Sequence, residues 1–270
     1  MKTFFISTAI DYPSTAPHLG HAYEKICADV IARFKRLQGF DVHFSTGTDE
    51  HGLKIQRSAE KAGKRPKEFV DFMSSKFRKL CDELKISYDD FIRTSEERHQ
   101  KVVQFIFKKL HQAGDIYKGF YEGPYCTECE TFYSEEELVD GNCPVHKKRV
   151  ERVEEESYFF RMSKYKDKIL DSIERNPDFV QPESRRNEII NRLSEPLKDL
   201  CISRTDFDWG IQLPIDKKHV LYVWVDALSN YLTTIGYPTD KFQKFWPVDV
   251  HLIGKDISWH HCVIWSSLLL

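Results

Sequence analysis

The sequence predicts an α/β fold in which a doubly wound parallel sheet is split by an insertion of different texture. Three observations carry this. Short apolar, β-branched and aromatic runs alternate with helical periodicity over residues 1–115. Tyr, Gly and Cys become frequent over residues 116–217. Strand-and-helix alternation then returns over residues 218–270.

Residues 3–9 form a strand-like run, and residues 18–37 follow as a helix. A second strand spans 42–47, helices span 50–62 and 67–84, and a short strand lies near 91–93. Val102, Val103, Ile106, Phe107 and Leu110 recur at helical spacing and predict a helix over 96–112. The insertion opens with short antiparallel strands around two metal-binding knuckles. It continues through the acidic stretch 151–156 and the aromatic run 158–160 into polar helices ending near Asp199. Residues 220–225 read as a buried strand, with a helix from Asp226. Residues 250–253 read as another, with a helix from Asp256 to the end. No repeat or low-complexity tract interrupts this Rossmann-like pattern.

Composition narrows the function classes. Hydrophobic residues make up 41% of the 270, enough for a sizeable core, and a net charge of −2 with 30% charged residues excludes a disordered chain. There is no bulk basic character, so a nucleic-acid partner would be read by local patches such as Lys147, Lys148 and Arg149. Alone, that triplet is an ordinary solvated loop. The apolar N-terminal stretch is too short for a secretory signal, and charges interrupt every apolar run before membrane-spanning length. Seven cysteines, an odd number, suit a reducing cytoplasm better than a disulfide framework. The last eight residues, Val-Ile-Trp-Ser-Ser-Leu-Leu-Leu, look like the interior of a buried helix and suggest a truncated chain.

Five constellations carry chemistry. Pro-His-Leu-Gly-His at 17–21 joins the first strand to the first helix. His18 and His21 stand three apart at a helix start, where backbone N–H groups and the helix dipole favour an anion, and Gly20 permits close approach. Surface histidines or half a metal site would give the same pentapeptide. Cys126-x-x-Cys129 and Cys143-x-x-His146 lie 13 residues apart and match the ligand spacing of a closed, structural zinc site. Asp49, at the end of the second strand, is placed to hold an ammonium group or to cap the next helix. Trp224, Ala227 and Tyr231 share one later segment. Ile257, His261 and Trp265 share a face of the last helix, which could be pocket or core. Gly254 and Asp256 follow the final strand, where a carboxylate can hold ribose hydroxyls or cap a helix.

With these motifs the chain resembles the class I aminoacyl-tRNA synthetases over essentially its whole length, and most closely the methionyl branch with a single zinc knuckle. The resemblance rests on His18-Leu-Gly-His21, Gly47-Thr-Asp-Glu-His-Gly52, the knuckle pairs, Tyr222-Val-Trp-Val-Asp-Ala227 and Ile253-Gly-Lys-Asp-Ile257. It implies ATP-dependent activation of L-methionine to methionyl-adenylate and transfer to tRNA(Met), with Zn2+ structural and Mg2+ accompanying ATP. In it, His18 and His21 stabilise the phosphates in the transition state, and Gly20, Gly254 and Asp256 help bind ATP. Asp49 takes the methionine amino group. Ile10, Tyr12, Trp224, Ala227, Tyr231, Ile257 and His261 form the side-chain pocket. Cys126, Cys129, Cys143 and His146 hold the metal in a connective domain, residues 116–217, that faces the tRNA acceptor end. Residues 1–115 and 218–270 are then the two parts of the catalytic domain. The chain departs from the pattern at Asp11, at Trp259-His260 and at Ser266-Ser267, and the family's Lys-Met-Ser-Lys-Ser segment does not occur in it. Two alternatives stay open: another class I synthetase or nucleotidyltransferase, or a zinc-stabilised tRNA-binding module without catalysis.

Overall fold

The computed structural model describes residues 2–129, 131–133 and 135–270. The first half alternates as the periodicity predicts: β1 (Thr3–Thr8), α1 (Leu19–Leu37), β2 (Asp41–Thr48), α2 (Leu53–Lys61), α3 (Pro66–Glu83), β3 (Asp90–Arg93) and α4 (Glu97–Gln112). The insertion contributes β4 (Ile116–Cys126), β5 (Thr131–Phe132), β6 (Glu151–Phe160), α5 (Lys166–Arg175), α6 (Glu183–Ser194), β7 (Leu200–Cys201) and β8 (Ser203–Arg204). The chain then adds β9 (Val220–Leu221), α7 (Val223–Leu228), α8 (Asn230–Thr234), α9 (Asp240–Phe245), β10 (Val250–Leu252) and α10 (Ser266–Leu269).

The main sheet has the order β10-β1-β2-β3, with every pair parallel. Alternation along β1 explains why both faces are covered. Phe4 and Ile6 point to one side and pack with Ala28, Ala32, Phe44 and Phe77. Phe5 points to the other and packs with Ile235 and Phe245. Each such fully buried side chain contributes about 1.5–3 kcal/mol. Polar residues gather where the strands end: the Thr8 hydroxyl donates to Thr46 Oγ1 at 2.7 Å, and both side chains are buried.

In the insertion, β4 and β6 form a long antiparallel ladder from Ile116↔Phe160 to Tyr125↔Glu151. β5 pairs with the end of β4 and β7 with the end of β6. The acidic stretch is therefore a strand, half of this ladder.

One predicted element is corrected. Residues 220–225 are not a strand of the parallel sheet. Only Val220 and Leu221 are extended, pairing antiparallel with Arg204 and Ser203, and α7 begins at Val223. A short apolar run fits either period. Here the helical reading wins because Val225, Leu228, Tyr231 and Leu232 together reach one large core cluster. The final helix is also modified. A 3-10 turn at Lys255–Ile257 leads into a π-helical segment, His260–Trp265, before α10. Such π-turns often mark functional sites. No helix of the described residues is long and apolar enough to cross a membrane, and no disulfide joins any of the seven cysteines.

Candidate active site and metal centre

His18 is the N-cap of α1, with extended backbone, and the two histidines form a reciprocal capping box. His18 Nδ1 accepts from the Gly20 N–H at 3.1 Å, and His21 Nδ1 accepts from the His18 N–H at 3.1 Å. This pattern assigns the tautomer: an imidazole accepting at Nδ1 carries its proton on Nε2. The rings lie 3.8 Å apart, 30° from parallel, so two Nε2–H donors stand side by side at a helix N-terminus. The first turn holds no acidic residue to neutralise the dipole. Burial, opposed by Asp11, holds the His21 pKa below its ordinary value and favours the neutral donor. Gly20 has a nearer purpose than admitting a ligand: a Cβ there would stand 3.0 Å from His18 Cε1 and crowd the cap.

These histidines line a cleft of about 510 Å³ at the carboxyl ends of β1 and β10. Ile10 and Tyr12 from the loop after β1, and Gly254, Asp256 and Ile257 from the turn after β10, line it too. A Cβ on Gly254 would lie 2.7 Å from Asp256 Oδ1, so that carboxylate would have to turn away. Asp256 caps no helix; Gly254 is the cap residue of the 3-10 turn, without a side-chain bond.

The structure adds Glu24 to the cleft wall. It continues the three-residue spacing of His18 and His21, the signal that could have found it. Burial is the largest influence on it and raises its pKa to about 7, with Lys25 opposing and Asp11 assisting. Asp11, a departure from the family pattern, is buried and paired with the fully buried Lys25 at 2.5 Å.

The remaining predicted residues lie outside the cleft lining. Asp49 is buried and joined to the cleft through its N–H, which donates to the Asp11 carbonyl at 2.8 Å. It does not cap α2, whose N-cap is Gly52. Trp224 stacks on His260 at 3.7 Å. Ala227, Tyr231 and His261 are buried. The Tyr231 hydroxyl donates to His261 Nε2 at 2.6 Å, while His261 Nδ1 donates to the Ile257 carbonyl at 3.0 Å. This chain of bonds ties the buried group to a cleft residue. Burial lowers the His261 pKa to about 4, so the ring is neutral.

The metal ligands converge as their spacing predicts. One donor atom each from Cys126, Cys129, Cys143 and His146 all lie within 4.8 Å of one another. The Cys129 and Cys143 sulfurs are 3.5 Å apart, and Cys143 Sγ is 4.0 Å from His146 Nδ1. A tetrahedral zinc with bonds near 2.3 Å to sulfur and 2.0 Å to nitrogen needs edges of roughly this length. Burial would raise the Cys143 thiol, but the His146 and Val145 N–H groups and the Tyr133 hydroxyl outweigh it and bring it to about 6. The donor set fits structural zinc, with all four positions supplied by protein.

A helix N-terminus presenting two histidine donors beside a Gly-Lys-Asp turn, with a cysteine-rich insertion in the same sheet protein, defines a class I synthetase core. Residues 4–152 and 145–270 match the family described as tRNA synthetases class I (M), and the chain belongs to that family. It is 57% identical to a methionine–tRNA ligase of Caldanaerobacter subterraneus and 51% identical to that of Thermotoga maritima. The matches cover 100% and 99% of this chain and 43% of each relative, so the chain spans less than half their length. Among solved structures it is similar to Mycobacterium tuberculosis methionyl-tRNA synthetase in complex with methionyl-adenylate, with a TM-score of 0.97 and 48% identity. That match covers all of this chain and 54% of the other. Against the free form of the same synthetase the TM-score is 0.85, at 45% identity, covering all of this chain and 53% of the other.

Proposed function

We propose that this chain carries the amino-acid-activating site of a methionine–tRNA ligase, joining L-methionine to the adenylyl group of ATP with release of pyrophosphate and passing the methionyl group to tRNA(Met) in the cytoplasm. The observation that carries this reading is the pair of Nε2–H donors on His18 and His21, set over the α1 N-terminus in the cleft that also holds Gly254 and Asp256.

In the reaction, a methionine carboxylate oxygen attacks the α-phosphorus of ATP, the bond to the β-phosphate oxygen breaks, and pyrophosphate leaves. Negative charge grows on phosphate oxygens. Fixed donors in a site shielded from water stabilise that charge without reorganising. The capping box supplies this fixity, since each ring is held through its Nδ1, with His21 Nε2 3.9 Å from Asp11 Oδ1. Mg2+ would accompany ATP as the counter-ion of its phosphates. Asp256 would take the ribose hydroxyls, and Asp49 the methionine ammonium. Tyr12, Ile10, Ile257, Trp224, Ala227, Tyr231 and His261 would enclose the side chain. A thioether near aromatic rings gains about 0.3–1.5 kcal/mol per contact.

Residues 116–217 are then the connective unit facing the tRNA end. Supporting this, a second cleft between α2 and the knuckles is lined by five cations, Lys54, Arg57, Lys61, Lys148 and Arg149, against two carboxylates, Glu128 and Glu151, which pair with Lys54, Lys148 and Arg57; the excess of positive charge suits phosphates.

Calorimetric titration tests the reading. The chain should bind L-methionine, and Asp49→Asn should weaken binding by at least tenfold, as loss of a charge-assisted bond predicts. Binding of tRNA with no binding of methionine or ATP would overturn it.

A further inference from the structure

Asp226 is a fully buried carboxylate beside the site, 0% exposed and not assigned to any ligand above. It accepts from two histidines on different elements. His51 Nδ1–H donates to Oδ2 at 2.6 Å, and His99 Nε2–H donates to Oδ1 at 2.8 Å. His51 sits two residues after Asp49 in the loop after β2, His99 on α4, and Asp226 on α7 between Trp224 and Ala227.

We infer that Asp226 is a positioning residue for the methionine site, fixing the loop that carries Asp49 against the helix that carries Trp224 and Ala227. The inference rests on the functional reading above only for what the two segments bind.

Several observations make the link directional rather than incidental. The Asp49 loop is pinned on its other side by Glu50, whose carboxylate accepts from Arg93 at 2.7 and 3.0 Å and also takes the Thr48 hydroxyl at 2.8 Å. The His51 carbonyl accepts the Tyr12 hydroxyl at 3.0 Å, which brings in the cleft wall. His99 Nδ1 and Thr233 Oγ1 lie 2.9 Å apart, extending the network to α8. Between Glu50 and His51 the loop has little freedom, so Asp226 sets how far the ammonium-binding carboxylate stands from the side-chain wall. Burial would raise the Asp226 pKa, but His51 and then His99 outweigh it and bring it to about 2, so the anchor stays ionised. A buried ionised group loses its partner at high cost, which is why the geometry is held rather than sampled. Small displacements of groups that position a substrate carry large penalties.

The experiment compares Asp226→Asn and His51→Gln with the unaltered chain in two measurements. In hydrogen exchange on the free protein, either substitution should speed exchange in both segments, 47–52 and 223–228, while α1 and the β4–β6 ladder stay unchanged. In calorimetry, either should weaken methionine binding about tenfold or more and change ATP binding less than threefold. The double variant should be little worse than either single one. His51→Gln keeps the Asp226–His99 pair and covers the case in which Asp226→Asn fails to fold. Faster exchange confined to the substituted segment, or equal losses for methionine and ATP, would overturn the inference. An unaltered chain that binds no methionine would instead overturn the functional reading and leave exchange to decide the coupling.

Discussion

His18 has two tasks in one side chain, and they can be separated. Its Nδ1 caps α1, and its ring lines the cleft. Asparagine is among the best N-cap residues but has no donor at the Nε2 position. His18→Asn should keep thermal stability within about 1 °C and lose ATP binding. His18→Ala should lose ATP binding and also about 1 kcal/mol of stability, or about 2–4 °C for a domain near this size. Equal melting temperatures for the two variants would show that the cap contributes nothing. Glu24 gives the pH prediction. Its folded pKa is near 7, above the ordinary 4.5, so between those values the folded chain holds a proton that the unfolded chain has lost. Stability from this group is intact below about 4.5, falls as pH rises, and levels off above about 7. Glu24→Gln removes the dependence. Its stability relative to the unaltered chain should rise by up to about 3 kcal/mol between pH 4.5 and 8, one pKa unit being 1.36 kcal/mol. Denaturant unfolding at both pH values checks this, and a constant difference would contradict it. The histidines and Gly254 were legible in the sequence because short motifs place them. Glu24 and Asp226 were not, because their roles arise from burial and from partners far away in the chain.

The elements show where pattern reading works and where it stops. Long periodic helices such as α4 were legible, since Val103, Ile106 and Phe107 face the core as their spacing requires. The run at 220–225 was misread as strand, because a short apolar segment takes its form from its neighbours. Val220 and Leu221 find a partner strand, while Val225 and Leu228 find a helical packing site. The knuckles were legible because ligand spacing is a local constraint. Cys126 lies at the end of β4 and Cys143 in a loop beyond β5, so a metal held by the four ligands would close the far end of the β4–β6 ladder. Cys126→Ser should remove zinc, measured by elemental analysis as a fall from one equivalent to a small fraction. Hydrogen exchange should then rise over residues 124–151 while β1, β2 and β3 stay protected. Loss of protection in the parallel sheet would show that the insertion is not an independent unit of stability.

Across the whole molecule, two covered faces of one parallel sheet hold a cleft at its carboxyl edge, and the insertion brings a basic second cleft beside it. The central claim is that the first cleft, with the buried group behind Ile257, accommodates an aminoacyl-adenylate carrying methionine. Discrimination against a side chain shorter by one methylene is worth about 1–3 kcal/mol, so amino-acid identity should be visible in binding. The most direct measurement is the affinity of non-hydrolysable methionyl-, leucyl- and valyl-adenylate analogues for this chain by calorimetry. Saturable binding of the methionyl analogue at one site, at least tenfold tighter than the other two and abolished by His18→Asn together with His21→Asn, is the result predicted. Equal affinity for all three, or binding unaffected by removal of the histidines, would contradict it.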